Sequence, residues 1–470
     1  MQKIIKKIAN KKFWLFLVLV LATLILGSNL RGFSYATVPN PGENRDEYSF
    51  AWVGLSLIQE GYPIAWSGIP GYEKYDYQEI NVDHLFEEGP DREPFPINKP
   101  WFDHPPLFGL VIGSYSYWKG VRDFSETATF IIRRPMLWIG ALTSILILVL
   151  GSLLYDKWVG LLAMLVYSVV PTIAISSRMV LAENGYVPLF LGSIILATYY
   201  FKNKKIGYWY SACFLAAIAV LFKLSAVGIG LSLALLGFYF GKKQRIKLIK
   251  LSVLAILVPI GLFMLYGAYY DWGTFLNIFL ANSSRFYGAG AEVFFSAFNQ
   301  TVITKTFNDG WMQFGWIALF VLSFTEWKRK RPGIIITIAV FSYFLIFLLF
   351  GSERYAGYRF PFYPFIAISI AWLVKKLFTK PNLFLYTMLL LLPLGTSVHK
   401  LVGIVGFQRF VPFLRVSTLA LAGLFLLSLN NNKKVLYLQR IFVFVLFAVL
   451  VWVSILTVLY YNIDAWYFAS

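Results

Sequence analysis

The chain has 470 residues, of which 58% are hydrophobic, 19% aromatic and only 14% charged, with a mean hydropathy of +0.65. So apolar a composition excludes an ordinary soluble domain and calls for lipid as solvent. The formal net charge of +19 is not a nucleic-acid footprint, and no nucleic-acid partner is expected, because the basic residues stand between apolar runs rather than on one face.

From the amino end, spans are predicted near 13–30, 133–154, 158–177, 186–201, 207–222, 225–240, 251–270, 311–325, 333–350, 359–374, 382–399, 412–429 and 440–461. Their lengths approach the roughly 17 to 25 residues that cross about 30 Å of hydrocarbon at about 1.5 Å per residue. Stretches such as Leu251 to Tyr270 show no alternation, which argues against a β-barrel. The expected fold class is an all-α polytopic membrane protein with a bundle of about 13 transmembrane helices.

Clusters of lysine and arginine fall at Met1 to Lys12, Lys202 to Lys205, Lys242 to Lys250, Lys328 to Arg331, Lys375 to Lys380 and Lys433 to Arg440. Assigning all six to the cytoplasm gives one consistent alternating topology, with the amino end inside a cell membrane. Phe13 to Leu30 is longer than a signal-peptide core and reads as the first span. A single cysteine, Cys213, allows neither a disulfide framework nor a thiolate metal cluster.

The longest interruption, Arg31 to Arg133, holds most of the acidic residues, with 13 of the 23 between Glu43 and Asp103. Within it, Asp46 to Gln59 and Leu107 to Trp118 read as amphipathic helices lying at the membrane interface. A second outer loop surrounds Glu183 and a third runs from Asp271 to about Gly310. No repeat symmetry and no GxGxxG, Walker or HExxH motif is present, so any catalytic site has to be built from loops and helix ends at the extracytoplasmic face.

Several residues there can carry chemistry. Asp46 and Glu47 open the first amphipathic helix, where carboxylates also serve simply to complement the helix dipole. In Trp101-Phe102-Asp103-His104-Pro105-Pro106 the paired prolines fix the backbone at the start of the second helix. Asp103 and His104, with Glu183, are candidate ligands for one divalent cation. Glu183 follows Arg178 at the outer end of a span, where the two could form a structural pair. Lys223, Arg285 and Arg354 or Arg359 fall on the same side, against the positive-inside trend, and suit a phosphate presented at the membrane surface.

The order of these features resembles the GT-C fold glycosyltransferases that use polyprenyl-phosphate sugars, including protein O-mannosyltransferases and lipid A aminoarabinose transferases. Asp46-Glu47 resembles that family's Asp-Glu pair, and Phe102-Asp103-His104-Pro105-Pro106-Leu107 its acid-x-Pro or His-Pro-Pro-Leu segment. Glu183 resembles its second-loop acid, Lys223 stands where a Lys-Gly-like hairpin occurs, and Arg359-Phe360-Pro361-Phe362-Tyr363-Pro364 is similar to its late Arg-Tyr-x-x-Pro element. The chain departs from the family at His104, where the aminoarabinose transferases have lysine, and at Asn282, where a metal-liganding histidine is usual.

The resemblance implies a glycosyltransferase core over 1–375, with its first outer loop at 31–132, followed by transmembrane helices of unassigned role over 376–470. It implies inverting transfer of a hexosyl or pentosyl group from a polyprenyl-phosphate donor to a hydroxyl of a lipid, glycan or protein. Asp46, Glu47 and Glu183 would be the catalytic carboxylates; Asp103, His104, Lys223, Arg285 and Arg359 would bind the lipid phosphate and sugar. A divalent metal on Asp103 and His104 would be the one cofactor. A glycan ligase or polymerase would carry its long loop late in the chain, and a transporter would show mid-membrane charges and repeats.

Overall fold

The computed structural model describes residues 11–41, 44–72, 77–80, 95–284, 291–299, 302, 309–329, 332–350, 357–380, 384–385, 387–393 and 433–460, with scattered residues between 412 and 426. Arg285 and Arg354 lie outside the described residues.

The architecture is a helical bundle. Helix α1 (Lys11–Gly32) is followed by a long loop containing α2 (Asp46–Gln59) and α3 (Leu107–Trp118). The chain then forms α4 (Arg134–Leu154), α5 (Lys157–Val169), α6 (Pro171–Ser176), α7 (Ala182–Asn203), α8 (Ile206–Val220), α9 (Val227–Phe240) and α10 (Arg245–Tyr270). After these come α11 (Trp272–Ser283), α12 (Ala291–Ser296), α13 (Gly310–Arg329), α14 (Ile334–Phe350), α15 (Tyr363–Thr379) and α16 (Lys433–Leu459). Among the described residues, five helical stretches are long and apolar enough to cross a membrane, including Lys11–Gly32, Lys242–Tyr270 and Lys433–Leu459. From Leu251 on, the exposed side chains of α10, such as Leu254, Leu257, Val258 and Leu265, are apolar, as a lipid-facing surface requires. By contrast α15 is buried on all sides from Tyr363 to Val374 and forms the centre of the bundle.

The span predicted at 158–177 is not one helix. Val170 turns extended (φ −62°, ψ 120°) because the ring of Pro171 excludes the helical region for the residue before it. The helix restarts at Pro171 and brings Ser177 to Leu181 under the long loop. That loop also contains a three-stranded antiparallel sheet missing from the all-α expectation: β1 (Ala65–Trp66), β2 (Tyr77–Ile80) and β3 (Phe95–Asn98), in the order β1-β3-β2.

Basic turns gather at one end of the bundle. Lys375, late in α15, pairs with Asp156 in the α4–α5 turn, and Lys202 donates to the Leu153 carbonyl. The opposite end carries the long loop, the start of α7, the α8–α9 turn and the 3-10 segment Gly357–Phe362 that leads into α15. There α2 and α3 cross with their backbones in direct apposition. A Cβ on Gly54 would stand 1.9 Å from the Gly109 carbonyl oxygen, and one on Gly113 would stand 2.3 Å from the Gly54 carbonyl carbon. Glycine at these positions permits the crossing, which fixes the two segments bearing Asp46 and His104 relative to each other. Burial on α2 runs without a break from Glu47 to Ser56, so the helix is covered on more than the apolar stripe of Tyr48, Trp52 and Leu55.

Candidate active site

Asp46 and Glu47 are neighbours with different surroundings. Glu47 is buried, and both its oxygens meet Arg133 through hydrogen bonds of 2.8 and 2.7 Å. The Val180 amide adds a third donor at 2.9 Å. Arg133 also donates to the carbonyls of Tyr35 and Pro39, so this ion pair joins the end of the α1 loop, α2, α4 and the segment before α7. A carboxylate held by three donors in this way fixes backbone positions. Asp46 is only partly buried and begins the helix, its amide accepted by the Asn44 side chain at 3.3 Å. One turn further along the same face, Phe50 stacks on His104 with ring centroids 5.6 Å apart and planes within 16°. Asp46 therefore lies on the His104 side of α2, whereas Glu47 turns to Arg133.

Beneath these residues runs a column of rings. Phe50 packs on Phe108 at 4.9 Å, and Phe108 packs on Phe222 at 5.5 Å. The next residue after Phe222 is Lys223, whose Nζ is 2.7 Å from Glu183 Oε1. Glu183 occupies the first turn of α7, where its charge complements the helix dipole, and its Oε2 has no hydrogen-bond partner among the described residues. Lys223 also lies 4.5 Å from the centre of the Tyr358 ring. Gly357 presses flat on the carboxylate: a Cβ there would be 3.3 Å from Glu183 Cδ and 3.4 Å from each oxygen.

The Arg178–Glu183 pair considered from sequence does not form. Arg178 is fully buried and donates to the carbonyls of Leu30 and Val38, at 2.7 and 3.2 Å, because the break at Pro171 carries it under the end of α1.

Asp103 is held by hydroxyls. Ser67 and Tyr72 donate to its two carboxylate oxygens at 2.6 and 2.8 Å, and its own carbonyl accepts from Asn282 at 3.1 Å, which joins the long loop to α11. Burial, together with the adjacent Asp103 carboxylate, pushes the Tyr72 phenol well above its usual range, so it remains a donor. His104 is stacked between Phe50 and, edge-on, Trp101 at 6.0 Å. Among the described residues no group of three or more His, Cys, Asp or Glu side chains gathers. Asp103 thus accepts from two hydroxyls, His104 packs between two rings, Glu183 Oε1 meets Lys223, and Asn282 donates to a backbone carbonyl.

Arg359 is buried apart from this cluster. Its Nε donates to the Ser296 carbonyl at 2.9 Å, and it lines a small cavity with Thr172, Asn299, Met312, Trp316 and Tyr363. Asp309 closes the neighbouring wall by accepting from the Thr172 amide and hydroxyl at 3.0 and 2.8 Å. The structure thus places Asp46, Asp103, His104, Glu183 and Lys223 at one end of the bundle, with the Phe50, Phe108 and Phe222 rings between His104 and Lys223, and places Arg359 in a separate recess. Arg133, Ser67, Tyr72, Gly357 and Tyr358 were missed from sequence. Only Arg133 left a signal, as an arginine at the outer boundary of a span.

A polytopic membrane protein of the GT-C glycosyltransferase fold is the class that this architecture defines. Its structure is similar to that of ArnT from Cupriavidus metallidurans bound to undecaprenyl phosphate, with a TM-score of 0.54 at 14% identity, covering 96% of this chain and 78% of that one. It is similar also to the arabinosyltransferase EmbB from Mycobacterium smegmatis, with a TM-score of 0.57 at 12% identity over 93% of this chain and 40% of that one. The Archaeoglobus fulgidus oligosaccharyltransferase in the apo form matches with a TM-score of 0.49 at 12% identity over 81% of this chain; the chain spans about half, 52%, of that protein. Within the class, residues 103–267 match the family described as dolichyl-phosphate-mannose-protein mannosyltransferase. No curated protein matches the chain in sequence.

Proposed function

We propose that this protein is an inverting membrane glycosyltransferase that moves a sugar from a polyprenyl-phosphate donor to a hydroxyl of a lipid, glycan or protein acceptor. The observation that carries the reading is the convergence of Asp46, Asp103, His104 and the Glu183–Lys223 pair, from separate chain segments, at the end of the bundle opposite the basic turns. Basic turns mark the cytoplasmic side, so the site faces outward and the amino end inward. The mannosyltransferase family match over 103–267 and the undecaprenyl phosphate bound by ArnT support a lipid-phosphate donor.

In this reading the acceptor oxygen attacks the anomeric carbon opposite the phosphate. Asp46 takes the acceptor proton, and the breaking C–O bond leaves its electron pair on the phosphate. Asp46 suits this task because it is the partly exposed carboxylate on the His104 side of α2. Glu47 acts through Arg133, setting the start of α2. His104, Lys223 and Arg285 serve the phosphate and sugar, with Asp103 ordering the loop that carries His104. Membrane lipids surround the bundle and the donor's tail. The test is transfer from a panel of polyprenyl-phosphate sugars by protein in vesicles, read by mass spectrometry of the product. Asp46→Asn should abolish transfer; product formed at the wild-type rate by a folded Asp46→Asn protein removes Asp46 as the base.

A further inference from the structure

Glu183 is 1% exposed, with one oxygen held 2.7 Å from Lys223 and the other, Oε2, without a hydrogen-bond partner among the described residues. A buried carboxylate oxygen left in this state is costly, and such atoms are normally satisfied by a ligand or ordered water. The carboxylate lies against Gly357, where a Cβ would stand over the face of the group, 3.3 Å from Cδ and 3.4 Å from each oxygen. The next residue, Tyr358, covers the Lys223 ammonium.

We infer that Glu183 Oε2 accepts a hydrogen bond from a hydroxyl of the transferred sugar, and that Gly357 is a specificity-determining residue because a side chain there would close further over that carboxylate. The inference rests on the glycosyltransferase reading above. Charge selects the sugar class. Oε2 can receive any donor, but the Lys223 ammonium is bonded to the other oxygen of the same carboxylate, so a sugar ammonium on Oε2 would meet a like charge a few ångströms away. A neutral hydroxyl meets no such opposition. The preferred donor is therefore a neutral sugar, and an amino sugar is disfavoured at this position.

The experiment compares kcat/KM of vesicle-reconstituted protein for polyprenyl-phosphate hexoses in which each hydroxyl is replaced in turn by hydrogen or by an amine. One position should show a loss of at least about a hundredfold on removal of the hydroxyl, the size expected where a site is built to hydrogen-bond it. Gly357→Ala and Glu183→Asp should each shrink that ratio at least about tenfold, whereas general damage to the site would lower the rates for all donors alike. Equal rates for every deoxy donor, a preference for an amino sugar, or an unchanged ratio in both variants overturns the inference while leaving transfer itself intact. No transfer by the wild-type protein from any donor overturns the glycosyltransferase reading, and the inference with it.

Discussion

Glu47 and Arg133 stand 86 residues apart and meet through two parallel hydrogen bonds, with side chains 2% and 0% exposed. The pair sets where α2 begins and therefore where Asp46 points. Breaking one partner of a buried, hydrogen-bonded ion pair leaves the other charged and dry, at a cost of about 3–5 kcal/mol. Arg133→Ala should accordingly lower the melting temperature of the detergent-solubilised protein and abolish transfer together with it. Arg133→Lys should not rescue it, since a single ammonium cannot serve two carboxylate oxygens and two carbonyls in the arginine's geometry. Wild-type melting of Arg133→Lys would show that the bidentate geometry is dispensable.

Asp46→Asn makes a contrasting prediction. Asp46 is partly exposed at the helix start, so losing its charge should cost less than breaking the buried Glu47–Arg133 pair. Transfer should nevertheless disappear. The two carboxylates thus separate by readout: the Asp46 variant melts like wild type and is inactive, whereas Glu47→Gln is both inactive and destabilised. Circular-dichroism melts run beside the transfer assay distinguish them; a strongly destabilised Asp46→Asn would reassign that residue to structure.

The α2–α3 crossing gives a third prediction. A methyl group on Gly54 meets the Gly109 carbonyl oxygen at 1.9 Å, a contact only backbone movement can relieve. Gly54→Ala should cost about 1–3 kcal/mol or more and displace Asp46 relative to His104. Activity should fall more than tenfold, since small displacements of catalytic groups cost about a hundredfold. Gly32→Ala is the control, because a Cβ there meets nothing within 4 Å. Equal activity in the two variants would argue against backbone apposition as the device that sets the site.

Much of the bundle was legible because a membrane span is a local property: Leu251 to Tyr270 declares itself by composition and length. The basic turns were legible for the same reason, as was the acidic loop. What sequence could not supply is pairing across distance. Nothing near Glu47 indicates Arg133, and Glu183 has Arg178 five residues away but pairs with Lys223, 40 residues on. The choice depends on Pro171, which breaks a helix that hydropathy reads as continuous and swings Arg178 under α1. The sheet was hidden because β1 is two residues long and β2 and β3 four each, too short for an alternating pattern. Gly357 carries no sequence signal at all, since its meaning lies in what it touches.

The Glu183–Lys223 pair supports the sharpest test of structure against chemistry. Its side chains are 1% and 10% exposed, so Glu183→Gln strands the Lys223 ammonium and Lys223→Met strands the Glu183 carboxylate. Each single variant should lose about 3–5 kcal/mol. The double variant has no buried charge left to strand and keeps nearly the same volume, so most of that loss should return, as happens when buried ion pairs are replaced by neutral groups of similar shape. Transfer should return in none of the three, because the double variant restores packing without restoring a carboxylate oxygen for the sugar or a cation beside it. A thermal-melt cycle with transfer measured at each corner decides the matter. Recovery of transfer along with stability in the double variant would mean that Glu183 and Lys223 serve only to hold α7 against the α8–α9 turn.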